Sequence, residues 1–377
     1  MSMRGYKWLI AAVGLGLAVI TGAALFRSDT VPEAYATSAD LPPIPQAGTN
    51  GWRFISRRWS DVAVDVNSDA LMAMLGAESE EASFETRWGG VSDNAHKVRK
   101  SARANVHGDA LDAWHQAAAS ERFVDGCAVD QFADCHYFQI FKLHQLALVE
   151  ALSHALDGQW AEADARLADA VSVDQRFLAS CRNSMSCLVS ASMLTSALST
   201  TALVLRAQPP GQAKEGRERL EDQVARGKGD EPVDDYMADF EVKRRAFVGD
   251  YLHSRHLLRR VEEEGVELLI GDSKWPPAIS FDASHTAKLI DDLHLDLRSS
   301  HGMRLMLSGR DEDAEPTVCN WMDRITNAIG CASFNPATAR ALHESSMNNI
   351  DEQLEVSRRW SRRIQELSPR VEVPETE

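Results

Sequence analysis

Apolar positions recur at three- and four-residue steps along most of the chain. The clearest stripe runs from Trp160 through Ala163, Leu167 and Ala170 to Phe177, with Glu162, Arg166 and Asp169 on the other side. That is the pattern of a helix with one buried face. It is the middle one of three consecutive helices expected between His136 and Pro210: FQIFKLHQLALVEALSHALDG, QWAEADARLADAVSVDQRFLAS and CLVSASMLTSALSTTALVLRA. Gly158 follows Asp157 and ends the first of them, because glycine accepts the left-handed turn that closes a helix. Two helices joined by so short a link pack antiparallel as a hairpin. Val266–Ile270 is the one short apolar run that could form a strand, so the expected fold class is all-α.

The remaining elements follow from the same periodicity and its breaks. Helices are expected at about 67–78 and 92–120, separated by Trp88-Gly89-Gly90. Pro209-Pro210-Gly211 stops the third scaffold helix, and a polar helix at about 212–226 leads to Gly227–Asp235, the best internal boundary. From Val233 a long helix is expected to about Glu264, with Tyr236, Phe240, Phe247 and Tyr251 inward. After an irregular stretch at 265–281, Asp282 is placed to cap a helix carrying Leu289, Ile290, Leu293 and Leu297. Asn335-Pro336 then opens a final helix reaching about Leu367, before a charged tail at 369–377. The organisation expected is a helical-hairpin domain over 52–226 and a second helical domain, or its continuation, over 227–368.

At the N-terminus, residues 8–26 are uncharged and mostly apolar, long enough at about 1.5 Å per residue to cross most of a hydrocarbon core roughly 30 Å thick. Arg4 and Lys7 precede this run, which by the positive-inside rule leaves residues 1–7 in the cytoplasm and exports the bulk of the chain. A cleavable signal peptide ending near Ala34-Tyr35-Ala36 is the rival, and the length of the apolar run favours a retained anchor. Thr37–Gly51, rich in Pro, Gly and small polar residues, reads as part of a flexible linker over 27–51. Trp52, Phe54, Ile55 and Trp59, interleaved with Arg53, Arg57 and Arg58, are expected to begin the folded core rather than to lie on lipid headgroups. The run Cys187–Leu205 also lacks charge, but seven of its residues are Ser or Thr, which favours a helix buried among protein neighbours over a second span.

Gly158, Trp160, Ala163, Leu167 and Ala170 fall at the turn glycine, aromatic, small, large and small positions of the second half of a tetratricopeptide repeat, which this hairpin resembles. The first half matches only at Ala151, and no second copy recurs at a 34-residue spacing. More loosely, the chain is similar to uncharacterised bacterial membrane-anchored proteins built of helical hairpins. The resemblance implies paired helices, either stacked as an α-solenoid or gathered in a bundle, and no activity.

Charge and cysteines narrow the setting. With 40 Lys and Arg against 56 Asp and Glu the net charge is −16, so nucleic acid is not an expected partner. All six cysteines follow the apolar run, in three sequence-near pairs: Cys127 and Cys135, Cys181 and Cys187, Cys319 and Cys331. An even count in an exported chain suggests disulfides, and the first two pairs each flank a break between helices. Unbroken helix would hold Cys319 and Cys331 about 18 Å apart, so that pair needs a helix break or other partners. Zinc-finger spacing is absent at Cys127 and Cys135.

Catalytic signatures are lacking: no G-x-S-x-G elbow, H-E-x-x-H pair or Walker loop occurs. Asp250, His253 and His256 share a helix face, and His285, Asp292, His294 and His301 form a looser group. Neither brings the further ligands and open cavity that a metal centre needs, and solvated or capping histidines are the expected reading. Asp291-Asp292 and Glu262–Glu264 are expected as solvated surface charge, and His343-Glu344-Ser345-Ser346 carries only a fragment of a lytic-enzyme signature. No catalytic, cofactor-binding or metal-ligating residue is assigned. The expectation is an inner-membrane, single-pass protein whose extracytoplasmic helical scaffold binds a protein or peptide partner. The alternative is an exported, hydrolase-like envelope enzyme with a dispersed active site.

Overall fold

The computed structural model of the chain describes residues 34, 36–44, 50–56, 84–103, 108–128, 135–209, 212, 215, 216, 218, 219, 235–264, 282–300 and 336–367. These residues are all-α. The helices are α1 (Trp52–Ser56), α2 (Phe84–Asp93), α3 (Ala95–Arg103), α4 (Gly108–Ala119), α5 (Tyr137–Leu156), α6 (Trp160–Leu178), α7 (Ser184–Ala207), α8 (Asp235–Glu264), α9 (Ala283–Ser300) and α10 (Pro336–Glu366). An isolated bridge between Asn50 and Arg122 is the nearest approach to a sheet among them.

Backbone packing divides the chain into two compact units, one comprising Leu41–Ala246 with Ser346–Glu377 and the other Met1–Asp40 with Phe247–Ser345. In the larger unit α5, α6 and α7 pack on one another, and α3 and α4 also lie on α5. The stripe expected on α6 is its buried face: Ala163, Leu167, Ala170 and Phe177 are at most 1% exposed. Gly158 turns the hairpin at φ +74°, a conformation that glycine adopts without steric cost. Trp52 sits at the centre of an aromatic cluster, with ring centroids 5.5 Å from Phe177 and 6.0 Å from both Phe123 and Tyr137. Trp52 and Ile55 therefore belong to the core, Phe54 is half-buried, and Trp59 lies outside the described residues.

Helix α7 is the one described helix long and apolar enough to cross a membrane, and 83% of its most apolar window is buried. Its buried hydroxyls find partners within the protein. Ser190, Thr195, Thr200 and Thr201 donate back to carbonyls three or four residues earlier, and Ser199 accepts from the Arg87 guanidinium at 2.7 Å. Thr195 and Ser357 also meet at 2.7 Å, joining α7 to α10. Small hydroxyl side chains thus serve here as close-packing contacts between helices.

In the smaller unit Asp282 caps α9, accepting from the His285 backbone N–H at 2.9 Å. Phe247 and Tyr251 of α8, and Leu289 and Ile290 of α9, are buried.

Three local expectations are corrected. Trp88-Gly89-Gly90 lies within α2, where Val91 is fully buried and Trp88 packs on Trp160, ring centroids 6.4 Å apart. Tertiary packing there outweighs a helix penalty of about 1 kcal/mol per glycine. The single helix expected at 92–120 is broken at Asn94, whose side chain and backbone N–H both donate to the Gly90 carbonyl, so α3 starts afresh. Within the expected linker Leu41 is 3% and Asn50 6% exposed, because Asn50 bonds Val124 in both directions and Arg182 donates to the Pro42 carbonyl. The apolar run at 8–26, the helix at 67–78 and the strand candidate at 266–270 lie outside the described residues.

Candidate functional site

Two of the three cysteine pairs are described, and both stand at disulfide distance: Cα–Cα is 6.4 Å for Cys127 and Cys135 and 5.0 Å for Cys181 and Cys187. Cys319 and Cys331 lie outside the described residues. The turn between α6 and α7 is short, and Cys187 falls in the first turn of α7 rather than ahead of it. Asn183 caps that helix by accepting from the Ser186 N–H at 2.7 Å, while the Ser186 hydroxyl returns a contact to the Asn183 backbone.

Between the two pairs lies a buried polar cluster built on Asp125, which is 0% exposed. Its carboxylate accepts from the Cys127 N–H at 3.0 Å and from the Tyr137 hydroxyl at 3.1 Å, and Asn183 donates to that hydroxyl at 3.2 Å. Burial pushes the Asp125 pKa up to about 6, against the lowering effect of Cys127, Ser186, Tyr137 and Arg182. The cluster binds the loop after α4, the start of α5 and the start of α7 into one braced corner.

A second buried pair joins α5 to α6. His144 Nε2 and Asp174 Oδ2 are 2.9 Å apart, both side chains 0% exposed, and the Trp114 ring lies 5.6 Å from the imidazole. The two groups meet as a buried pair, and neither His144 Nδ1 nor Asp174 Oδ1 has a further hydrogen-bond partner. Burial raises the Asp174 pKa, opposed by His144. Enclosed on all sides, the dyad is a clip between helices rather than an acid–base pair within reach of a substrate.

A cavity of about 290 Å³ opens at the α5–α6 turn. Gly158, Trp160 and Glu162 line one side, Glu215 and Arg219 the other, and Asp164 also lines it. Asp164 is 8% exposed and its Oδ1 accepts from the Gln208 amide at 2.6 Å. Gly216 comes so close that a Cβ there would stand 2.3 Å from Asp164 Oδ2, so any larger residue would have to displace the carboxylate. Arg219 donates to the Ala161 carbonyl at 3.3 Å. Burial raises the Asp164 pKa, partly offset by Gln208 and Arg219. Three carboxylates and one guanidinium therefore share the cavity, which the arrangement suits to a small polar group bearing positive charge.

Other residues singled out by sequence form no shared site among the described residues. No group of three metal-ligating side chains forms among the described residues, so Asp250, His253 and His256 make no centre there. His256 Nδ1 meets Arg259 at 3.0 Å. Glu262–Glu264 is exposed, with Glu264 paired to Arg260 at 2.8 Å. Asp291 is corrected: it is 2% exposed, accepting from the Tyr251 hydroxyl at 3.0 Å with Arg255 at 3.7 Å. The side chains of Asp292, His294, His301, His343 and Glu344 lie outside the described residues.

Sequence reasoning missed Asp125, Asp164 and the His144–Asp174 pair. A signal existed for Asp174, since it continues the stripe of Ala163, Leu167, Ala170 and Phe177 at the position where an apolar residue belongs. No protein family, curated protein or solved structure matches the chain at a significant level.

Proposed function

We propose that this chain is a membrane-anchored extracytoplasmic scaffold whose helical hairpins bind a protein or peptide partner in the cell envelope. One observation carries the reading: both described cysteine pairs stand at disulfide distance around a single helix corner. Such pairing persists in oxidising compartments and is rare in the cytosol. The apolar run at 8–26 supplies the anchor and the route out, and the net charge of −16 disfavours nucleic acid as partner. The cavity at the α5–α6 turn offers a polar recess on the hairpin that could receive part of a partner.

The test is crosslinking in intact cells followed by co-purification of the full chain from membranes, alongside thiol labelling before and after reduction. A discrete crosslinked partner is expected, with Cys127, Cys135, Cys181 and Cys187 labelled only after reduction. Free thiols at these positions in unreduced protein would sink the reading, as would a chain that crosslinks to nothing.

A further inference from the structure

We infer that the cavity at the α5–α6 turn receives a single basic side chain, lysine or arginine, from a peptide partner, with Asp164 as its counter-ion. This inference rests on the scaffold reading above and specifies the ligand of its recess.

Asp164 is the buried carboxylate of the cavity. At 8% exposure it is more than nine-tenths buried, yet its partner by hydrogen bond is the neutral Gln208 amide, and Arg219 acts on it only through its field. A carboxylate taken out of water without a cation in contact is poorly compensated, and an ammonium or guanidinium entering the cavity would supply the missing charge. Glu162 and Glu215, both exposed on the cavity's lining, add to the same potential. Arg219 is already turned to the Ala161 carbonyl.

Size and shape point the same way. A cavity of about 290 Å³ is at the small end of ligand sites, suited to one side chain rather than a whole cofactor. Trp160 is among the lining residues, and aromatic rings attract cations within about 6 Å of their centroids. An anionic ligand would gain the free N–H groups at the start of α6 but would meet three carboxylates against one guanidinium. The chain-wide excess of acid further favours approach by a cation.

The experiment uses the full chain in nanodiscs of neutral phosphatidylcholine, titrated calorimetrically with the capped peptides Gly-Gly-Lys-Gly-Gly and Gly-Gly-Glu-Gly-Gly. The lysine peptide is expected to bind and the glutamate peptide not. Asp164→Asn should weaken lysine-peptide binding about tenfold, and Glu215→Gln, at an exposed site with no part in the fold, about two- to threefold. Glu263→Gln, a surface variant outside the cavity's lining, controls for the general acidity of the protein and should change nothing. The inference is overturned if the two peptides bind alike, if neither binds, or if Glu215→Gln and Asp164→Asn both behave as Glu263→Gln does. Those results would remove the cavity's assignment while a crosslinked envelope partner could still stand. Failure of the scaffold reading is read separately, from absent crosslinks and free thiols.

Discussion

Replacing Cys181 and Cys187 together by alanine tests the braced corner directly. The two residues are 6 apart in sequence, so a bond between them closes a loop of about seven residues. The chain-entropy relation gives about 8 cal/mol/K for such a loop, or about 2.4 kcal/mol at room temperature. Both side chains are 0% exposed, so lost sulfur packing adds to this, and about 2–3 kcal/mol of destabilisation is expected. With a urea slope of about 2 kcal/mol/M, the unfolding midpoint of the unit containing α5–α7 should fall by roughly 1 M. The assay is urea unfolding of the oxidised protein followed by far-ultraviolet circular dichroism. Adding a reductant to the wild type should reproduce at least that shift, since it also opens Cys127–Cys135. If the variant unfolds at the wild-type midpoint, or the wild type ignores reductant, the corner is not held by sulfur bonds and the exported setting loses its support.

Other expectations follow from single residues. Phe177→Ala removes a fully buried ring at the centre of the Trp52, Phe123 and Tyr137 cluster and should cost about 3–5 kcal/mol in the same unfolding assay. Gly158→Ala forces a Cβ into φ +74° and should cost about 1 kcal/mol, with nothing nearby for the methyl to strike. Asp125 carries a pH signature: its carboxyl titrates near 6 when folded against 3.8 ordinarily, so between these values the folded chain holds a proton that the unfolded chain has released. Stability therefore falls as pH rises through that window, by about 3 kcal/mol, and Asp125→Asn should abolish this component in unfolding curves taken at a series of pH values. Lysine-peptide binding at the cavity should weaken as pH is lowered through the raised Asp164 pKa, because the ionised carboxylate is the form that attracts the ligand. Binding that strengthens in acid would contradict this.

Local sequence determined the three helices between Tyr137 and Ala207, the glycine turn at Gly158, the cap at Asp282 and the placement of Cys127, Cys135 and Cys181 at helix breaks, with Cys187 one turn inside α7. These are legible because each depends on neighbours within one or two turns: apolar spacing, a residue tolerant of positive φ, a side chain within reach of an N–H three positions on. What lay beyond that range was decided by packing. Trp88-Gly89-Gly90 reads as a break, yet it is helical because Val91 and Trp88 are held by distant residues. Asp125, Asp164, Asp174 and Asp291 read as ordinary acids, but their burial is set by segments far away in sequence. Asp164 is the sharpest case: its partner Gln208 and its close neighbour Gly216 come from beyond the end of α7. A carboxylate's chemistry depends on whether water reaches it, and only the assembled helices determine that.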